Sequence, residues 1–503
     1  MKKRLCAFML AAAMVFSVCG CSLGNTESTY TTYETEEIIN SDSGVSGSNF
    51  QSGNSSDSGG SSQSIQPTVS KPSKGSSTAI DTSGKKVELA NPVYIAEGTK
   101  SMDEGLDFKG KTFTMAARDD SAYTTSHFKR LVAAFEKKYN CKIDMKNISF
   151  SNYATILSNA KASGKPYDII FCHGSRFPEI PLSGVVNDLS GYLTTADYDT
   201  GKGGIDIAKS SYFVLDDKLY GVVGGEDAVY PCVIYYNKLM FKKNGLEDPY
   251  ELYKAGKWTW SKLREQGQKV TDESKNIYYA DYYFIDLSVV HSFGTSIMTW
   301  KNNKVVNNLN DTNVIKGYQL IYDLFNKSKI CYPDQTSAQE YKLFTDGIVF
   351  CLIQESQKYS AICENAAGSA AFNRDYKNVG IVPIPQDSAS AKRGYPCGWY
   401  GAVMSGGSDP RVAVAFAKFW STFEDATKDK YELSDKYKSL IDKLTSGNIT
   451  NLHGGYTGSD GVASYTYLKY PIAQDIGLGR DVSSAISATL PKINAAVEYV
   501  IKK

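Results

Sequence analysis

Beyond its first 18 residues the chain has no long hydrophobic run, which excludes a polytopic membrane protein. Charge of one sign is equally scarce. In 503 residues, 55 basic side chains meet 54 acidic ones, evenly spread, so nucleic acid is not expected as a partner. Only four histidines occur (His127, His173, His291 and His453) and none is paired at metal-ligand spacing. No metal or other cofactor is therefore expected. The nucleophile elbow Gly-x-Ser-x-Gly, the phosphate loop Gly-x-x-x-x-Gly-Lys-Ser/Thr and a Gly-x-Gly-x-x-Gly turn are all missing. A glycosidase needs only two facing carboxylates, and the 54 acids leave that chemistry open. Disulfides are also poorly supported. Seven of the ten cysteines follow residue 110, an odd number without close spacing, and most sit in apolar strings such as Phe171-Cys172 and Phe350-Cys351-Leu352. Small buried hydrophobes account for them.

What is present begins with an address. Met1-Lys2-Lys3-Arg4 is a positive n-region, and residues 5–18 form an apolar stretch too short for a membrane span but suited to a signal peptide. It ends in Val18-Cys19-Gly20-Cys21, which resembles the lipobox of bacterial lipoproteins, where the cysteine is diacylated and becomes the new N-terminus. Ordinary secretion with cleavage nearby is the alternative. On the lipoprotein reading, residues 1–20 are removed and Cys21 carries the lipid that holds the protein on the outer face of the cell membrane. Residues 21–90 then form a tether. Between 41 and 80 there are 15 Ser and 6 Gly, a composition that cannot offset its own ordering entropy. Such a leash of about 70 residues reaches roughly 45–50 Å. Residues 91–503 are expected to be the folded part.

That part reads as alternating strands and helices. Lys111 to Ala117 is a strand, and Phe128, Leu131, Val132 and Phe135 fall at i, i+3, i+4, i+7 on a helix that Ser126 can cap. Cys141 to Met145 is a second strand, Tyr153 to Ala160 a second helix stopped by Gly164, and Tyr167 to Cys172 a third strand. The pattern is that of a doubly wound parallel sheet, whose ligands sit at the carboxyl ends of the strands. Here those ends are the loops around Arg118–Ser121 and His173–Arg176. Later, Gly221 to Val223 and Val233 to Asn237 read as strands, Thr259 as a helix cap, and Asp409-Pro410 as the cap of a helix whose Val412, Phe416, Phe419, Trp420 and Phe423 form a core stripe. Aromatics are plentiful: 35 Tyr, 21 Phe and 5 Trp. Flat rings with polar tips suit sugars, although composition alone fits an ordinary core edge equally well.

Several segments align, in order, with one family. Gly164-Lys165-Pro166-Tyr167-Asp168-Ile169-Ile170, then Gly184 to Leu189, Lys218-Leu219-Tyr220-Gly221, Ile234-Tyr235-Tyr236-Asn237-Lys238, Gly245-Leu246-Glu247-Asp248-Pro249 with Trp258-Thr259-Trp260, Phe344-Thr345-Asp346-Gly347 and Val379 to Pro385 resemble the bacterial solute-binding proteins of ABC importers. The likeness is to their carbohydrate-binding branch, the maltose-binding protein relatives. It implies an α/β, two-lobed, periplasmic-binding-protein-like fold (type II) that closes about a hinge. Lobe one would be about 110–226 and 388–440, and lobe two about 232–384 and 441–503, with crossings near Gly225–Pro231 and Pro383–Gly394. It also implies a monomer, not an enzyme, that captures a carbohydrate and hands it to an ABC permease. A peptide or polyamine as solute, or a surface glycoside hydrolase, are the competing readings.

The resemblance further implies site residues by position. Arg118, Asp119 and Asp120 occupy the loop after the first strand. Ser175 and Arg176 lie in the loop after the third, where the relatives contact sugar hydroxyls. Tyr230 falls at a hinge-side contact, Tyr359 stands in for a stacking tryptophan, and Tyr395, Trp399 and Tyr400 follow the second crossing. Arg176 and Asp120 fit a surface ion pair as well as a ligand contact. Trp258 and Trp260 are expected to pack the second lobe.

Overall fold

Alternating side chains from Lys111 build the first long strand, β1 (Lys111–Arg118). Phe113, Met115 and Ala117 enter one core cluster and Ala116 the cluster behind it, as a period of two requires. In this computed structural model the described residues are 78–80, 86–89, 91–93, 95–118, 126–149, 152–177, 179–198, 204–224, 229–282, 285–295, 297–301, 304–333, 340–386, 397–423, 431, 433–445 and 471–502. All lie within one unit, Thr68–Lys503. The signal peptide, Cys21, and the tether as far as residue 77 fall outside them.

Helix α1 (Ser126–Tyr139) turns Phe128, Leu131 and Phe135 into the core, where Phe135 and Phe416 meet edge to face at 5.0 Å. Strand β2 (Cys141–Ile148) extends three residues beyond the expected Met145, because all eight of its residues pair in parallel with β1. Helix α2 (Tyr153–Ala162) ends before Gly164, whose φ of +72° lets the chain turn back into β3 (Ile169–His173). This is the βαβαβ unit the sequence predicts.

From there the sheet departs from the all-parallel expectation. The remaining strands are β4 (Val229–Asn237), β5 (Tyr278–Tyr282), β6 (Val349–Glu355), β7 (Val379–Pro383) and β8 (Cys397–Met404). The eight-stranded sheet runs β2-β1-β3-β8-β4-β6-β5, with β7 also on β4. Strand β8 is antiparallel to both β3 and β4. The returning chain therefore enters the sheet between the two halves rather than at an edge. Strand β4 changes partners along its length. Val229–Pro231 pair with β8, whereas Cys232–Asn237 pair with β6 and β7.

Buried side chains divide accordingly. Two clusters draw on 108–223 and 402–423, and two others on 232–384 with Tyr437, Leu440, Leu444 and residues 472–493. Helix α8 (Asp435–Thr445) packs with Val233 and Tyr235. Within the expected tether, Thr78–Ile80 pairs with Lys86–Glu88, and Leu89 packs on the first half. The few aliphatics there (Ala79, Ile80, Val87, Leu89) end the leash before residue 90.

Two local expectations also change. Gly221–Val223 contributes a single bridge, Val222 to Val403, rather than a strand. Asp409 does not cap α7 (Arg411–Thr422); its carboxylate accepts two hydrogen bonds from the Arg411 guanidinium, at 2.7 and 2.6 Å. Pro410 takes the N-cap position instead. The helical stripe itself packs as read, with Val412 and Phe416 fully buried. All six cysteines whose side chains are described are buried and free.

Candidate functional site

The strands that meet at the partner change carry four of the expected site residues, Arg118, Tyr230, Trp399 and Tyr400. Strand β1 pairs with β3 at Ala116 and Ile170, which sets Arg118 beside the end of β3. Across β3, His173 pairs with Gly401 of β8. Across β8, Trp399 pairs with Tyr230 and Tyr400 with Val229. Backbone positions 118, 173, 230, 399 and 400 therefore converge on neighbouring strands.

Buried anchors fix this edge. Tyr153 of α2 places its hydroxyl between two strand ends, 2.6 Å from Phe171 O and 3.2 Å from Ala116 O. Past β3, Gly174–Arg176 form a single 3₁₀ turn, and Phe177 behind it is fully buried edge to face with Phe213 at 5.4 Å. Arg176 reaches Glu179 on the next turn, Nη1 to Oε2 at 3.3 Å, with both side chains largely buried. The guanidinium is thus held in place by an ion pair and stays at the rim of the converging strands. Burial pushes the Cys172 thiol up, so at neutral pH it is an uncharged apolar group in the strand behind.

On the other side, β6 ends at Glu355. Cys232 of β4 is its cross-strand partner, two residues from Tyr230. Tyr235 lies 3.0 Å from both Glu355 O and Ser356 O, which ties down the turn that leaves the strand. Glu355 is buried and accepts a hydrogen bond from Gln357 Nε2 at 2.5 Å.

Tyr359 does not join the others. It begins helix α6 (Tyr359–Gly368) and is buried in the cluster of Tyr235, Ile362 and Phe372. It packs there between helix and sheet. Asp119, Asp120 and Tyr395 lie outside the described residues, and for Arg118, Ser175, Trp399 and Tyr400 only the backbone position is described. Trp258 and Trp260 are buried in the second half, as read.

An α/β sheet shared by two cores thus gathers polar and aromatic positions where the strands change partners. Residues 121–426, more than half of the chain, match the family described as bacterial extracellular solute-binding protein. The chain belongs to that family. This solute-binding protein also superposes on solved structures of small sequence similarity. An ABC substrate-binding protein of Listeria monocytogenes in complex with cycloalternan is 16% identical, with TM-score 0.55 over 77% of this chain and 99% of that one. The GacH receptor of Streptomyces glaucescens, solved unliganded and with acarbose, is 18% identical, with TM-score 0.52 over 78% and 99%. The galacto-N-biose/lacto-N-biose I-binding protein of Bifidobacterium longum is 15% identical, with TM-score 0.51 over 77% and 99%. The likeness is one of fold, that of the type II periplasmic-binding proteins. Among the described residues no helix of this solute-binding protein is long and apolar enough to cross a membrane.

Proposed function

We propose that this solute-binding protein captures a carbohydrate, an oligosaccharide, and delivers it to an ABC permease without making or breaking a bond. The observation that carries this reading is the convergence of positions 118, 173, 230, 399 and 400 at the strand ends between two cores. Tyr230 and Trp399 are backbone cross-strand partners, and both are residue types suited to the C–H faces of a pyranose. Arg176 and Arg118, with Asp119 and Asp120, supply donors and acceptors for hydroxyls. The sugars named with the structures of similar fold support the same solute class. Residues 110–226 with 388–423 form one lobe and 232–384 with 435–502 the other, the ligand favouring the closed state by its differential affinity. Cys21 carries the lipid anchor, and the Ser/Gly-rich leash keeps the monomeric binding unit near the permease on the outer face of the membrane.

The test is a calorimetric titration of the full-length protein with oligosaccharides, followed by chromatography of the recovered ligand. Saturable binding with the ligand returned intact is expected. Release of new reducing ends would replace the reading with a glycoside hydrolase.

A further inference from the structure

The second half carries a parallel pair of its own. After helix α3 (Trp260–Val270) the chain enters β5, crosses through helices α4 (Ile285–His291) and α5 (Thr312–Tyr322), and returns in β6. Strand β6 runs parallel to β5, with Ile353 opposite Tyr282. In such units ligands sit past the carboxyl ends of the strands. Glu355 closes β6 at that end, and the 3₁₀ turn Ser356–Lys358 leads on to α6.

The same residue neighbours the strand that carries the expected site. Glu355 pairs with Cys232 of β4, and Tyr230 stands two residues before Cys232. Directly opposed residues share a face of the sheet, and so do residues two apart on one strand. Glu355 and Tyr230 are therefore on one face, their Cα atoms about 9 Å apart by strand geometry. Tyr230 in turn pairs with Trp399 of β8. One line of pairings thus runs from Trp399 through Tyr230 to the end of β6.

The backbone at this end is held firmly. Glu355 N–H donates to Oε1 of the fully buried Gln354 at 2.9 Å, and the Tyr235 hydroxyl lies 3.0 Å from both Glu355 O and Ser356 O. The side chains it presents are polar. Glu355 is 4% exposed and accepts from Gln357 Nε2, and the buried Ser356 Oγ has no hydrogen-bond partner among the described residues. A carboxylate is among the side chains least often buried, because it gives up its hydration. An aliphatic residue, like those before it in β6, would pack here at less cost, so packing gives no account of the carboxylate. Binding does. An ionised carboxylate accepts and never donates, with about four lone-pair sites, which is capacity for two hydroxyl donors beside Gln357.

We propose that Glu355 is a specificity-determining residue of the second half, its carboxylate accepting hydrogen bonds from two neighbouring hydroxyls of the bound sugar, with Ser356 Oγ as an adjoining contact. This rests on the carbohydrate reading above. A fixed acceptor loses its bond when the sugar lacks the matching hydroxyl, so Glu355 selects for a free hydroxyl pair.

The experiment compares Glu355→Gln and Glu355→Asp with the wild type in the full-length protein. A panel of mono- and oligosaccharides is first screened by thermal shift, and the glycan that raises the wild-type melting temperature most is titrated by calorimetry. Glu355→Gln keeps the shape but replaces one acceptor by a donor, and should weaken affinity tenfold or more, about 1.4 kcal/mol. Without ligand it should melt within about 2 °C of the wild type, or above it. Glu355→Asp, which keeps the acceptor, should bind more tightly than Glu355→Gln. Unchanged affinity in Glu355→Gln overturns the proposal and leaves the carbohydrate reading standing. Equal losses of affinity in both variants, together with lower melting without ligand, assign Glu355 to packing and overturn it as well. If no sugar raises the wild-type melting temperature, the carbohydrate reading falls and the proposal falls with it.

Discussion

His291 is fully buried, and burial alone lowers its pKa from 6.5 to about 4. The sign of the consequence follows directly. Between pH 6.5 and about 4 the unfolded chain binds a proton that the folded one refuses, so stability is complete above pH 6.5 and declines as pH falls towards 4. The full difference is on the order of 3 kcal/mol. His291→Gln, neutral throughout, should remove this slope. Urea unfolding of both proteins from pH 7 to pH 4 measures it, and parallel stability curves would contradict the assignment. Other residues show how type and place part company. Tyr359, expected from its position to stack on ligand, opens a helix and is buried among Tyr235, Ile362 and Phe372. Arg176 pairs with Glu179 three residues on, a partner the sequence reading did not name.

One polar junction between elements is a staple on the first half. Lys418 of α7 donates to Asp103 Oδ1 at 2.8 Å, to Asp197 Oδ1 at 3.0 Å and to Ser101 Oγ. Asp197 is fully buried and also accepts from Met102 N–H and Thr194 N–H, both at 2.9 Å. Burial alone would raise the pKa of Asp103, but bonds from Lys418, Ser101 and Tyr139 outweigh it and hold it at about 2. The contribution of Asp103 is therefore complete above pH 3.8 and is lost as pH falls through about 2. Lys418→Met strands two carboxylates and should cost about 3 kcal/mol, read as a lower urea midpoint at pH 7. An unchanged midpoint would mean the staple carries no stability. Local elements were largely legible, since the 3.6 and 2 periods at Phe128–Phe135 and Phe113–Ala117 report faces directly. The antiparallel entry of β8 was not. It depends on pairing between residues more than 200 apart, and no local pattern records which strand a returning chain will join.

For the whole molecule, the ordered motifs located the family, and the loop ends after β1 and β3 were correctly read as strand termini. What the sequence could not convey is that Tyr230 and Trp399 are cross-strand neighbours, because each lies on a different passage of the chain. That pairing makes Trp399 the informative substitution. With a bound oligosaccharide, Trp399→Ala should weaken affinity by about tenfold or more, roughly 1.4 kcal/mol, while unfolding stays cooperative. Unchanged affinity in calorimetry would remove the residue from the site.

The central claim is that a carbohydrate is the solute, and thermal shift of the full-length protein against mono- and oligosaccharides, peptides and polyamines tests it most directly. A ligand present at about 100 times its dissociation constant adds about 2.7 kcal/mol to the folded state. A rise in melting temperature confined to one class of glycan is the expected result. Silence across all sugars, with a rise for a peptide or an amine, would contradict the account while leaving the fold in place.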